Sequence, residues 1–77
     1  MTFIFKKLNE SMTVTLNGET KQIENGITVS GLLESLKIEP ARVAVEVNLS
    51  IIKKADYLSH QLNEGDSVEI VSFVGGG

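Results

Sequence analysis

Cysteine and tryptophan are absent from this chain of 77 residues, and proline and histidine occur once each. Without cysteine there is no disulfide framework, no thiolate metal ligand and no thiol nucleophile. With a single histidine, His60, the paired-histidine metal and hydrolase patterns are also missing. No apolar run approaches the roughly 20 residues needed to span a bilayer. The opening Met1 to Phe5 is followed at once by Lys6-Lys7, which is too short for the apolar core of a secretory signal. Acidic residues outnumber basic ones, 10 to 7, for a net charge of -3, so a phosphate-backbone partner is disfavoured. These absences point to a cytoplasmic protein that acts on neither membrane nor nucleic acid. Its length allows one domain at most, with a small core.

What is present is a clear succession of short patterned segments. Val14 and Leu16 alternate with Thr13 and Thr15, which reads as a half-buried strand, and Asn17-Gly18 is a strong two-residue hairpin signal. A second strand returns over Glu19 to Glu24 with Ile23 inward, and Asn25-Gly26 ends it. Thr28 is a good helix N-cap, and Val29, Leu32, Leu33 and Leu36 follow at i, i+3, i+4 and i+7. The spacing predicts a helix from Val29 to Lys37, stopped before Pro40 because proline disfavours helical backbone at Glu39. Val43, Val45 and Val47 form a third strand, Asn48 suits a tight turn, and Ile51-Ile52 reads as a short or edge strand. Lys53 to Ser59 is expected as a polar connection with Tyr57 and Leu58 partly tucked in, and Asn63 to Asp66 as a further turn. The last strand covers Ser67 to Val74, with Val68 and Ile70 inward.

This order predicts an α+β domain, a mixed, mostly antiparallel sheet packed on one main helix in the ubiquitin-like β-grasp arrangement. The domain is placed at residues 12–74, with a glycine tail at 75–77 and a leader at 1–11. Met12 stands directly before the first strand, so it is a candidate start and the leader is expected to be dispensable; the alternative is an added edge strand over Thr2 to Phe5. From the fold, the last strand is expected to lie beside the first in the middle of the sheet.

No catalytic constellation is evident. Glu19, Glu24, Glu34, Glu39, Glu46, Asp56, Glu64, Asp66 and Glu69 are scattered, and are expected to be solvated, as is His60 in its polar connection. A serine nucleophile would need a base within hydrogen-bond reach. Lys53 and Lys54 are also read as solvated. Gly75-Gly76-Gly77 is not a phosphate cradle, since no helix follows it. A tail without side chains can instead thread a narrow channel, because glycine tolerates close backbone approach. Its three residues reach about 10 Å.

The stretches "MTVTLNGE" (Met12 to Glu19), "VAVEVN" (Val43 to Asn48), "HQLNEGDSVEIV" (His60 to Val71) and the terminal "VGGG" together resemble the ThiS family, the sulfur carriers of thiamin biosynthesis. A terminal diglycine alone is shared with ubiquitin and with the small subunit of molybdopterin synthase. The chain departs from the family around Leu49 to Lys54, "LSIIKK", where an acidic residue commonly precedes the two aliphatics and a Pro-Arg pair follows them. The resemblance implies that the chain is a protein co-substrate, not an enzyme. A ThiF-like adenylyltransferase would activate the Gly77 carboxylate with ATP and magnesium, and a cysteine desulfurase would supply the sulfur. The resulting thiocarboxylate would serve thiazole synthase, ThiG. Gly75 and Gly76 would thread the partner's active site, and no cofactor would be bound by this chain itself.

The period of two also puts Val71 and Phe73 on the face of the sheet away from the helix. With Val74 they form a candidate partner contact just before the tail, unless a bulge or the leader covers them. Other readings stay open at this point: a carrier for molybdopterin or cysteine synthesis, or a ubiquitin-like interaction module with an inert tail.

Overall fold

The computed structural model describes residues 11–73. Five strands and one helix are connected in the order β1 (Ser11–Leu16), β2 (Glu19–Glu24), α1 (Val29–Ser35), β3 (Val43–Val47), β4 (Ser50–Ile52) and β5 (Ser67–Ser72). The sheet order is β2-β1-β5-β3-β4. Only β1 and β5 run parallel; β1–β2, β3–β4 and β3–β5 are antiparallel. The expected α+β class and the return of the last strand beside the first are both found. Ser11, read as the end of the leader, already pairs with Glu24. The remaining leader residues, 1–10, and Val74, Gly75, Gly76 and Gly77 lie outside the described residues.

Two tight turns hold the register. Asn17 and Gly18 have φ of 48° and 86°, the type I′ geometry that matches strand twist. The same geometry recurs between Val47 and Ser50, with Asn48 at 53° and Leu49 at 72°. Leucine adopts this backbone at a cost of roughly 1–2 kcal/mol.

The helix is well capped at both ends. Its exposed first N–H groups bond to His60 O (from Val29, 2.9 Å), Tyr57 O (from Ser30, 2.9 Å) and Thr28 Oγ1 (from Gly31, 3.0 Å), so the N-cap expected at Thr28 is present and the 57–62 segment completes it. Helical residues stop at Ser35, two short of the expected Lys37. The reason is a left-handed Lys37 (φ 60°), with Ile38 N–H bonded to Leu33 O at 2.9 Å and Lys37 N–H to Glu34 O at 3.0 Å. That is a Schellman end, formed before Pro40 can act.

The helix closes one face of the sheet. Met12, Val14, Ile23, Val29, Leu32, Leu33, Val43, Val45, Val47, Tyr57, Leu62 and Val68 are the buried apolar residues. Tyr57 belongs to this core, but Leu58, expected beside it, is 79% exposed. The reason is a turn over Asp56 to His60, in which Ser59 N and His60 N both bond to Asp56 O and the chain carries Leu58 outward.

Asp66 is a second correction, being buried where a solvated carboxylate was expected. It accepts from Asn63 N (2.8 Å) and Asn48 Nδ2 (2.9 Å), while Asn48 Oδ1 accepts from Ser67 N (2.9 Å). One carboxylate therefore ties the β3–β4 turn to the start of β5. Asp66→Ala leaves two donors without their acceptor and is expected to cost about 1–3 kcal/mol. In a domain of this size each kcal/mol lowers Tm by about 4–8 °C, a fall that thermal unfolding followed by circular dichroism will read.

Candidate functional site

The central strand β5 leads toward the C-terminal glycines, so the question is how firmly its end is held. On the β3 side five consecutive register pairs run from Val47↔Val68 to Val43↔Ser72. The Phe73 N–H then continues the pattern by donating to Arg42 O at 2.9 Å. On the β1 side the parallel ladder has only two register pairs, Thr15↔Ser67 and Leu16↔Val68. Beyond it Asn17 stands in for a missing strand. Its Oδ1 accepts from Ile70 N at 2.7 Å and its Nδ2 donates to Ile70 O at 3.1 Å. Chain direction is thus imposed by both neighbours as far as Ile70, and by the β3 side alone from there to Phe73.

Side chains on β5 alternate as the period of two requires. Val68 is fully buried and Ile70 half-buried against the core, whereas Val71 is 54% and Phe73 58% exposed. Register places Ala44 opposite Val71 and Ile51 opposite Glu46 on the same outward face. Ile51, 71% exposed, thus joins the candidate contact formed by Val71 and Phe73. Its membership follows from the two-residue turn at Asn48-Leu49, whose length puts Ile51 opposite Glu46.

Lys54 is not simply solvated, contrary to expectation. Its ammonium donates to Val43 O at 3.0 Å and lies 5.2 Å from the centre of the Phe73 ring and 5.8 Å from that of Tyr57. A cation at this distance is attracted to the electron-rich ring faces. Lys54 therefore connects the start of β3 to the ring that ends the described chain. Lys54→Met keeps the stem and removes the charge. It is expected to cost about 0.5–1 kcal/mol and to lower hydrogen-exchange protection of the Phe73 amide, measured by NMR.

Of the other singled-out residues, His60 is half-buried and contributes its carbonyl to the helix N-terminus. Glu64 Oε1 accepts from Thr13 N at 3.0 Å. Among the described residues no three His, Cys, Asp or Glu side chains cluster to hold a metal ion, and no helix is long and apolar enough to cross a membrane. The distinctive feature is the exposed Ile51, Val71 and Phe73 on the outward face, at the exit of a strand held to its end on the β3 side.

The family model for ThiS matches residues 14–77. This chain belongs to the ThiS family. The sulfur carrier protein ThiS of Bacillus subtilis is 43% identical over 63 residues, which cover 80% of this chain and 96% of that protein. A crystal structure of the thiamine biosynthesis protein ThiS from Geobacter metallireducens superposes with a TM-score of 0.76 at 30% identity, over 86% of this chain and all of that one. A thiazole synthase of Paramagnetospirillum magneticum is 42% identical over 66 residues, covering 86% of this chain. Only 20% of that thiazole synthase is spanned by the match, so a ThiS-like segment there forms part of a much longer chain. The resemblance drawn from the sequence is thereby established, and the β-grasp fold with it.

Proposed function

We propose that this ThiS-family chain is a sulfur carrier in thiamine biosynthesis, loaded at the Gly77 carboxylate, and that other proteins supply the catalysis. Supporting this reading is the family match through Gly77, coupled to a fold whose central strand is held on one side up to Phe73 and on the other up to Ile70. A carboxylate is a poor acyl donor at neutral pH because its leaving group would be oxide. A ThiF-like adenylyltransferase, with ATP and magnesium in its own site, converts it to an acyl adenylate and releases pyrophosphate. The terminal sulfur of a desulfurase persulfide then displaces AMP, and a thiol reduces the resulting sulfur–sulfur bond to leave the thiocarboxylate. Thiazole synthase receives that sulfur. The presence of a ThiS-like segment inside a thiazole synthase chain favours this recipient over the molybdopterin and cysteine alternatives.

In this reading the carrier holds no cofactor. Gly75 and Gly76 pass through the partner's channel while Val71, Phe73 and Val74 meet its rim. The deciding experiment is intact-mass measurement after incubation with the activating enzyme, ATP, magnesium and a sulfur source. The expected result is a sulfur-for-oxygen exchange at the C-terminus. An unmodified mass would instead identify an inert interaction module.

A further inference from the structure

The two type I′ turns of the sheet share a feature beyond their backbone. Each opens on an asparagine in the left-handed region, Asn17 in one and Asn48 in the other, and both side-chain amides reach across to β5. Asn48 holds the start of that strand, where its Oδ1 accepts from Ser67 N and its Nδ2 donates to Asp66 Oδ1. Asn17 holds it near the exit, through the N–H and the carbonyl of Ile70. The surroundings of the two grips differ. At Ser67 the sheet has its full width, from Thr20 on β2 to Ser50 on β4. At Ile70 that width ends: β1 and β2 have turned back at Asn17-Gly18, and β4 stops with Ile52 beside Val45, the partner of Ile70. Among the described residues, Val71 to Phe73 pair only with Arg42 to Ala44. The five-stranded sheet thus narrows to a two-stranded ribbon, and such a ribbon is marginally stable by itself. Lys54 holds the β3 half of its base by donating to Val43 O, and Asn17 holds the β5 half.

We infer that Asn17 is a positioning residue for activation of the C-terminus: its amide orders the ribbon that leads to the glycine tail before the activating enzyme binds. The inference rests on the proposed function, in which Gly77 is presented to such an enzyme. Asn17 acts through Ile70, not on the reacting carboxylate. Order that exists before docking costs nothing at docking. Without the amide the ribbon is loose in the free carrier, and part of the binding free energy goes into ordering it. That loss falls equally on the bound ground state and the transition state, so it raises KM and leaves kcat as it was. A residue that only supports the fold moves neither constant at a temperature where nearly all of the carrier is folded.

The test measures ATP-dependent pyrophosphate release by the activating enzyme from the same genome, with full-length carrier as the varied substrate. Wild type is compared with Asn17→Gly and Asn48→Gly. Glycine adopts the positive φ of either turn freely, so each variant keeps its turn and loses the amide. Both are expected to lower Tm, but only Asn17→Gly is expected to raise KM, by about tenfold, the ordering of roughly one backbone residue. In the free Asn17→Gly carrier the amides of Ile70 and Phe73 are expected to lose about tenfold in hydrogen-exchange protection. In Asn48→Gly the Phe73 amide, which exchanges by local opening at the far end of the strand, is expected to keep its protection. An Asn17→Gly carrier with the KM of wild type, a rise shared equally by Asn48→Gly, or an Asn17→Gly carrier that does not fold would overturn the assignment. Sulfur loading at Gly77, measured on the same wild-type preparation, separates the two readings. Wild type that loads while the two asparagine variants behave alike sinks only the role of Asn17, whereas wild type that yields neither pyrophosphate nor thiocarboxylate sinks the proposed function and this inference with it.

Discussion

Deleting Gly77 is expected to abolish thiocarboxylate formation while leaving the Tm of the domain unchanged. The shortened chain still ends in a carboxylate, but that carboxylate is withdrawn by roughly 3.5 Å, the reach of one extended residue. Acyl activation requires reacting atoms about 3–3.5 Å apart, and misplacement by 1 Å can already cost about a hundredfold. A shift three times larger leaves no productive geometry. Stability should not follow, because glycine has no side chain to bury and the sheet is held through Phe73 by its bond to Arg42 O. Intact-mass and thermal-unfolding measurements on the same preparation check both halves. Loading of the shortened carrier at the normal rate would show that the reaction does not depend on Gly77.

Phe73→Asp is expected to weaken binding to the activating enzyme at least about thirtyfold with the domain still folded. Aromatic side chains at the centre of an interface typically contribute 2 kcal/mol or more when truncated, and about 1.4 kcal/mol is a factor of ten. The substitution also brings a charge into the contact. The fold should tolerate it, since Phe73 is more than half exposed and its backbone bond does not depend on the side chain. The Lys54 ammonium, already 5.2 Å from the ring centre, provides a local counter-charge. Calorimetric titration with the activating enzyme measures the effect, and unaltered affinity would reject the Val71–Phe73 contact. Lys54→Met provides the control that removes the cation and keeps the ring.

Legibility in the sequence follows the range of the forces involved. The Asn17-Gly18 hairpin, the Thr28 cap and the alternation that turns Val71 and Phe73 away from Val68 were all readable. Each is decided within a few residues, by backbone sterics, one side-chain bond or the pleat. The left-handed Lys37 was hidden because lysine carries no turn signal; Ile38 forces it by reaching back to the core and to Leu33 O. Leu49 was hidden for a similar reason. Its turn conformation is imposed by the pairing of Val47 with Ser50, not by its own preference.

The same distinction holds for the candidate site. The proposal of Gly77 as the reactive end rests on residue type, order and family resemblance, and the exposure of Val71 and Phe73 follows from the strand alternation. Lys54 over Phe73, Asn17 on Ile70, Asp66 beneath the β3–β4 turn and Glu46 against Glu69 join residues that are 18 to 53 positions apart, and composition carries no trace of such pairings.

Local sequence therefore determined the elements, the Thr28 cap and the Asn17-Gly18 turn, and it is the ground for proposing the last glycine as the reactive end. Tertiary structure alone decided which polar groups were withdrawn from water and which charges were set face to face. Those outcomes depend on how strands distant in the chain are laid side by side, and strand order is a property of the assembled sheet rather than of any one segment.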